Sequence, residues 1–196
     1  RLRADLRAAA MLLTRLPVDR ILPDRTGGEP PDLTRSVWAY PLVGAIASAT
    51  GAAALLAAAA VGGGPWTGAF LALAGAAVVT GAFHEDGLAD TADGLGGGLT
   101  RDRALEIMRD SRIGTYGTVT LGLVLALKVT ALSAMPLAVA VPLVALGHGI
   151  SRYAPVAVVF TAPYARETGA KFVAPTISAG GHALAAGMAL GLLGLL

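Results

Sequence analysis

The sequence HEDGLADTADGLGGG, residues 84–98, directly follows a long apolar segment of the chain. It carries four acidic residues: Glu85, Asp86, Asp90 and Asp93. If a helix continues through the stretch, Asp86, Asp90 and Asp93 are spaced i, i+4 and i+7 and share one face within about 60°. Such carboxylates repel each other, and Mg²⁺ relieves the repulsion because it takes oxygen ligands and also grips substrate phosphates. The stretch therefore predicts a Mg²⁺ site. The alternative is a solvated acidic helix end.

Glycines accompany the acids and recur further along the chain. Gly94 and the run 96–98 lie in the stretch itself, and Gly114 and Gly117 belong to a second glycine-containing turn. Glycine has no side chain, so a ligand or another helix can approach its backbone closely. We therefore expect Gly94, Gly114 and Gly117 to line a substrate site.

The composition predicts an integral membrane protein. The chain is 55% hydrophobic and only 14% charged, whereas soluble domains carry about 25% charged residues. Apolar runs of about 18 or more residues, enough for a helix to cross a bilayer, recur along it. Cysteine is absent and the net charge is +2, which excludes disulfides and thiolate metal sites and gives no support for nucleic-acid binding.

We expect an all-α, polytopic helical bundle in one membrane-embedded domain over residues 1–196, with both ends trimmed from a longer protein. An N-terminal amphipathic helix over residues 1–16 is expected to lie at the membrane surface. A short interfacial helix is predicted over residues 101–110, capped by Thr100. About five spans are predicted, at residues 37–61, 66–83, 113–134, 137–161 and from near residue 183 onward.

The arginines predict the orientation of the bundle. Every arginine except Arg152 lies in segments that this topology places on one side of the membrane, and the two short turns on the other side carry no Lys or Arg. Positive residues favour the cytoplasmic side. We therefore expect an integral protein of the bacterial cytoplasmic (inner) membrane whose acidic stretch faces the cytoplasm.

Ionisable residues inside a span are energetically costly and usually functional. His148 and Arg152 lie one turn apart in the predicted fourth span. Arg152 is expected to reach the acids or a substrate phosphate; the alternative is a structural salt bridge to one carboxylate. Together with Arg109 and Arg112, this inventory predicts transfer of a phosphorus-containing group. The chain has no P-loop and no dinucleotide-binding glycine motif.

Several segments resemble one family in order along the chain. They are HEDGLADTADG, RALEIMRDSRIGTYG at 103–117, LLTRLPV at 12–18, YPLVGA at 40–45 and GISRYAPV at 149–156. These segments closely resemble cobalamin synthase, the adenosylcobinamide-GDP ribazoletransferases, also called cobalamin-5'-phosphate synthases. The resemblance implies that adenosylcobinamide-GDP is joined to α-ribazole or its 5'-phosphate with release of GMP, in the last stage of nucleotide-loop assembly.

The resemblance also implies roles for the candidate residues. Asp86, Asp90 and Asp93 would hold Mg²⁺ on the diphosphate, and Glu85 would complete the metal shell or act as base toward the ribazole 5'-hydroxyl. Arg112 would steady the leaving phosphate. The expected partners are the two small-molecule substrates and the lipid bilayer, with a homo-oligomer or an assembly with other corrinoid enzymes as further expectations.

Two other classes of protein place acids near a membrane interface. A CDP-alcohol phosphotransferase would have Ala-Arg where this chain has Asp90, and an Asp-rich prenyltransferase would have a second acidic motif, which the chain lacks. A cation-coupled transporter would need acids near the middle of the bilayer, whereas these follow the end of a predicted span.

Overall fold

The computed structural model describes residues 1–25, 27–28, 30–163, 165 and 177–196. The regular secondary structure in these ranges is entirely helical, which confirms the predicted all-α class. Residues 164 and 166–176, which follow the predicted fourth span and precede the fifth, lie outside the described residues. The helices are α1 Leu2–Leu13, α2 Val18–Ile21, a 3-10 helix Arg35–Ala39, α3 Tyr40–Ala60, α4 Pro65–Thr80, α5 Phe83–Gly97, α6 Arg101–Ile107, α7 Thr115–Ser133, α8 Leu137–Ser151, α9 Tyr153–Thr161 and α10 Ala179–Leu193.

Three helical segments are long and apolar enough to cross a membrane: Arg35–Ala60, Thr115–Ser133 and Leu137–Thr161. Helices α4 and α5 qualify as a fourth span only when taken together as a bent pair. Helix α10 is apolar but has only 15 residues. The predicted membrane class is therefore confirmed, and the predicted count of about five spans becomes three or four with one shorter apolar helix among the described residues.

The apolar second span does not run straight into the acidic stretch. Helix α4 ends at Thr80, and Gly81 and Ala82 both adopt left-handed backbone conformations, with φ of 64° and 54°. Such residues end a helix because their backbone cannot continue the right-handed hydrogen-bond ladder. Helix α5 consequently leaves α4 at an angle of 91°. The four acids thus lie on a helix separate from the apolar α4. All four are on the same continuous helix, α5.

Helix α3 packs closely against both α4 and α8. The Ser48 hydroxyl donates a hydrogen bond to the carbonyl of Ala145 at 2.6 Å. A Cβ atom at Gly51 would lie 2.9 Å from the carbonyl oxygen of Ala72, and one at Gly44 would lie 2.7 Å from the Arg152 side chain. Small residues let helices approach closely in lipid, and here they hold the end of α8 and its Arg152 against α3.

The predicted surface helix α1 also packs on the protein. Its Ala9 and Leu13 are buried against Ala39 and Val43 at the start of the first span. The buried carboxylate of Asp5 accepts hydrogen bonds from Arg35 Nε at 2.6 Å and from the Trp38 indole at 3.2 Å. These contacts fix α1 to the base of α3.

Candidate functional site

Asp93 uses both carboxylate oxygens to hold the start of helix α7. Its Oδ2 accepts a hydrogen bond from the amide of Gly114 at 2.7 Å, and its Oδ1 accepts one from the amide of Gly117 at 2.8 Å. The side chain is buried, with 8% exposure. The first amides of a helix have no partner within the helix, and the positive end of the helix dipole favours an anion there. Asp93 therefore caps α7 from the neighbouring helix.

The three glycines predicted to line a substrate site are in contact with protein. A Cβ atom at Gly114 or Gly117 would overlap the Asp93 carboxylate. A Cβ atom at Gly94 would lie 2.5 Å from the Met108 side chain. The absence of side chains at these positions thus lets α5, α6 and α7 pack together, and their contact with substrate stays a prediction.

Asp86 and Asp90 lie one turn apart on α5, and their surroundings differ from those of Asp93. Asp86 is exposed and Asp90 is half-buried. The space beside Gly87 is open to at least 4 Å. No three His, Asp or Glu side chains converge on a metal position within the described ranges. Because Mg²⁺ is usually held by one or two carboxylates together with substrate phosphates, the Asp86 and Asp90 pair fits the donor set that Mg²⁺ requires.

Glu85 lies on a different side of α5, about 100° around the helix axis from Asp86. It lines a cavity of about 380 Å³ that is formed by α4, α5, α7, α8 and Arg152. Much of the wall is apolar, and Leu73, Leu132 and Val144 contribute to it. The polar residues at the cavity are His84, Glu85, Lys128, His148, Ser151 and Arg152.

Arg152 occupies the junction between α8 and α9 and is 6% exposed. Its Nη1 donates a hydrogen bond to the Ser151 hydroxyl at 3.1 Å, while its Nε has no hydrogen-bond partner among the residues that the structure describes. The predicted alternative of a structural salt bridge is not observed, because no acid of the described chain forms an ion pair with Arg152.

Three further buried polar atoms near Arg152 lack a hydrogen-bond partner in the described part of the chain: Nδ1 of His84, Oε2 of Glu85 and Nδ1 of His148. Buried polar groups are normally paired, because an unpaired one loses its hydration without compensation. This cluster thus has the hydrogen-bonding capacity of a ligand site. The signal for this cluster in the sequence is Lys128, which stands within an otherwise apolar helix, where a charge usually indicates function.

Arg109 and Arg112 are exposed in the segment that joins α6 to α7, away from the cavity lining. Arg112 forms a bidentate pair with Asp110, with Nη2 to Oδ2 at 2.6 Å and Nε to Oδ1 at 3.0 Å. This guanidinium lowers the pKa of Asp110 to about 2. Arg112 must therefore leave or share this carboxylate if it is to hold a phosphate.

A larger cavity of about 530 Å³ lies between α1 and the loop that precedes the 3-10 helix. Two of its arginines are already paired, Arg7 with Asp19 and Arg35 with Asp5, each at 2.6 Å. None of the predicted site residues lines it. The candidate site therefore remains at α5 and the smaller cavity.

The fold and the site define a polytopic α-helical membrane protein in which an acidic helix borders a cavity with buried ionisable groups. A family model described as cobalamin-5-phosphate synthase matches residues 5–196. The chain belongs to this family, as the sequence motifs predicted.

Three similar relatives carry the name adenosylcobinamide-GDP ribazoletransferase. The protein of Bradyrhizobium diazoefficiens is 51% identical over 132 residues, which are 67% of this chain and 49% of that protein. The protein of Azorhizobium caulinodans is 43% identical over 178 residues (89% of this chain and 67% of that protein). The protein of Leptothrix cholodnii is 43% identical over 190 residues (92% and 69%). The chain thus spans about half the length of the first relative and about two thirds of the other two. No solved structure matches the chain.

Proposed function

We propose that the protein transfers the adenosylcobinamide-phosphate group of adenosylcobinamide-GDP to α-ribazole 5'-phosphate and releases GMP. The observation that carries this proposal is the arrangement of α5. This helix has Asp86 and Asp90 on a face that is open beside Gly87, and it places Glu85 at a cavity that also contains Arg152. One helix thereby offers oxygen ligands for a metal–diphosphate and a carboxylate for the acceptor. Family membership and the names of the relatives support the choice of substrates.

The description of the family supports an acceptor that already carries the 5'-phosphate, and this choice limits which hydroxyl can attack. A cobalamin-5-phosphate product keeps a phosphate at the 5 position, so an acceptor that brings this phosphate has no free 5'-hydroxyl. Another ribose hydroxyl must then be the nucleophile, and the expectation that Glu85 acts on the 5'-hydroxyl applies only to unphosphorylated α-ribazole. The hydroxyl oxygen bonds to the phosphorus that carries cobinamide, and the bond from that phosphorus to the GMP oxygen breaks.

The acidic residues of α5 would have different roles in this reaction. Asp86 and Asp90 would hold Mg²⁺, which neutralises charge on the diphosphate when bound. Glu85 would accept the proton of the attacking hydroxyl, which it can do because one of its oxygens has no hydrogen-bond partner in the described chain. Asp93 would position the helix through its two hydrogen bonds to α7. We further propose that α5 faces the cytoplasm of a bacterial inner membrane.

The test is GMP release by the membrane-inserted protein from adenosylcobinamide-GDP and α-ribazole 5'-phosphate, with and without Mg²⁺. We expect turnover only with Mg²⁺, and a loss of about 100-fold in Asp86→Asn and Asp90→Asn, since each removes a charged metal ligand. The matched control is Asp102→Asn, whose carboxylate is 95% exposed on α6. Normal turnover in both α5 variants would contradict the metal site, and no turnover by the unmodified protein would contradict the function.

A further inference from the structure

The charges at the cavity of α4, α5, α7 and α8 favour an anionic ligand. With both histidines neutral, two cations (Lys128 and Arg152) face one carboxylate (Glu85). Arg152 is nearly inaccessible and has no acid in ion-pair contact within the described ranges. A buried guanidinium that makes no direct ion pair is costly, and a phosphate offers the bidentate geometry that arginine prefers.

The remaining walls of the cavity favour an apolar body attached to that anion. Leu73, Leu132, Met135 and Val144 line it, and Gly147 leaves open space beside α8. Its volume of about 380 Å³ lies in the range of small-molecule sites. A corrinoid with an attached nucleotide has several times the atoms of the acceptor, so size selects the smaller substrate.

We propose that this cavity binds the acceptor nucleotide, a flat aromatic base on a ribose phosphate, with the base on the apolar wall and the phosphate on Arg152 and Lys128. The identity of this ligand rests on the proposed function. The unpaired Nδ1 atoms of His84 and His148 supply hydrogen bonds to the ribose. The phosphate does not react; it selects the phosphorylated acceptor over the free nucleoside.

The first test measures the affinity of the protein in lipid nanodiscs for α-ribazole 5'-phosphate, without adenosylcobinamide-GDP. We expect Arg152→Met to weaken this affinity by about 10- to 100-fold, as for the loss of a charge-assisted hydrogen bond. Free α-ribazole should bind the unmodified protein more weakly than its phosphate, and Arg152→Met should reduce that difference to the part that Lys128 still contributes. The matched control is Arg103→Met, whose guanidinium pairs with Glu106 on the exposed face of α6.

A second variant fills the cavity without touching a charge. Gly147→Leu would extend a side chain from α8 into open space, and it should abolish binding of α-ribazole 5'-phosphate. Gly122→Leu is the matched control, because Gly122 on α7 also has no atom within 4 Å of its Cβ position but does not line the cavity. Both variants should unfold at the same temperature or above that of the unmodified protein, since glycine weakens helices.

These measurements separate the cavity from the proposed reaction. Asp86→Asn should lose turnover yet bind α-ribazole 5'-phosphate normally. Unchanged affinity in both Arg152→Met and Gly147→Leu, with turnover intact in the unmodified protein, would overturn the cavity assignment and leave the function standing. Binding that depends on Arg152 and on Gly147, in a protein without turnover, would support the cavity and contradict the function.

Discussion

At the scale of single residues, Asp93 differs from the other acids of its helix in what its oxygens contact. The spacing of Asp86, Asp90 and Asp93 makes them equivalent as candidate ligands, but Asp93 is buried and hydrogen-bonded to two amides of α7. Asp86 is exposed. A substitution in this stretch can therefore lower activity in two ways, by removing a proposed metal ligand or by removing the hydrogen bonds that hold α7. A stability measurement distinguishes the two.

We predict that Asp93→Asn lowers the free energy of unfolding by about 1–3 kcal/mol, because a neutral amide keeps one acceptor oxygen and turns a donor toward an amide donor of α7. Asp86→Asn should leave stability unchanged. Thermal unfolding in detergent, with circular dichroism as the readout, compares the two variants. Equal melting temperatures for Asp93→Asn and Asp86→Asn would show that the cap contributes nothing.

At the scale of elements, the contact between α5 and α7 depends on missing side chains. Gly114 and Gly117 leave the space that the Asp93 carboxylate occupies, and Gly117 also faces the carbonyl of Ala89. Helix α5 makes a sharp bend after α4, so its orientation is fixed largely by this contact and by α6. The position of Asp86 and Glu85 relative to the cavity follows from the same contact.

We predict that Gly117→Ala destabilises the protein by about 1–3 kcal/mol, because the new methyl group forces Asp93 away from the α7 amides. Gly122→Ala, one and a half turns further along α7 in open space, should be neutral or stabilising by up to about 1 kcal/mol. The measurement is the melting temperature of each variant, compared with that of the unmodified protein. If the Gly117→Ala protein is as stable as the Gly122→Ala protein, the contact between α5 and α7 can adjust to the methyl group without losing stability.

At the scale of the whole molecule, the distribution of arginines predicts on which side of the membrane the segment between α5 and α6 lies. Leu99 in that segment is fully exposed, and Val61 in the turn between α3 and α4 is 84% exposed. The sequence contains no cysteine, so any labelling by a thiol reagent comes from the single cysteine that is introduced.

We predict that Leu99→Cys reacts with a membrane-impermeant thiol reagent only when the cytoplasmic face is accessible, because positive residues near spans stay on that side. Val61→Cys should react only from the periplasmic side. Labelling of whole cells and of inverted vesicles gives the comparison. If Leu99→Cys reacts in whole cells and not in inverted vesicles, the predicted orientation is wrong.

The sequence by itself determined the helical membrane class, the three unbroken spans and the family. The length and composition of an apolar run indicate a membrane span from that run alone. The spacing of Asp86, Asp90 and Asp93 likewise predicted that they lie on one face of one helix. The spans and the shared face depend only on neighbours within a few turns, whereas the family was recognised from motifs along the chain.

Only the tertiary structure decided which acids are available and what surrounds them. The break at Gly81 and Ala82 turns α5 across the bundle, Asp93 is used by α7, and Lys128 joins His84 and Arg152 at one cavity. These residues are far apart in the chain. Small residues hold Arg152 of α8 against α3, and the contact of Asp93 with the start of α7 brings α5 and α7 together. A sequence pattern records the direction of a side chain on its own helix, whereas the partner it meets depends on how separate helices pack.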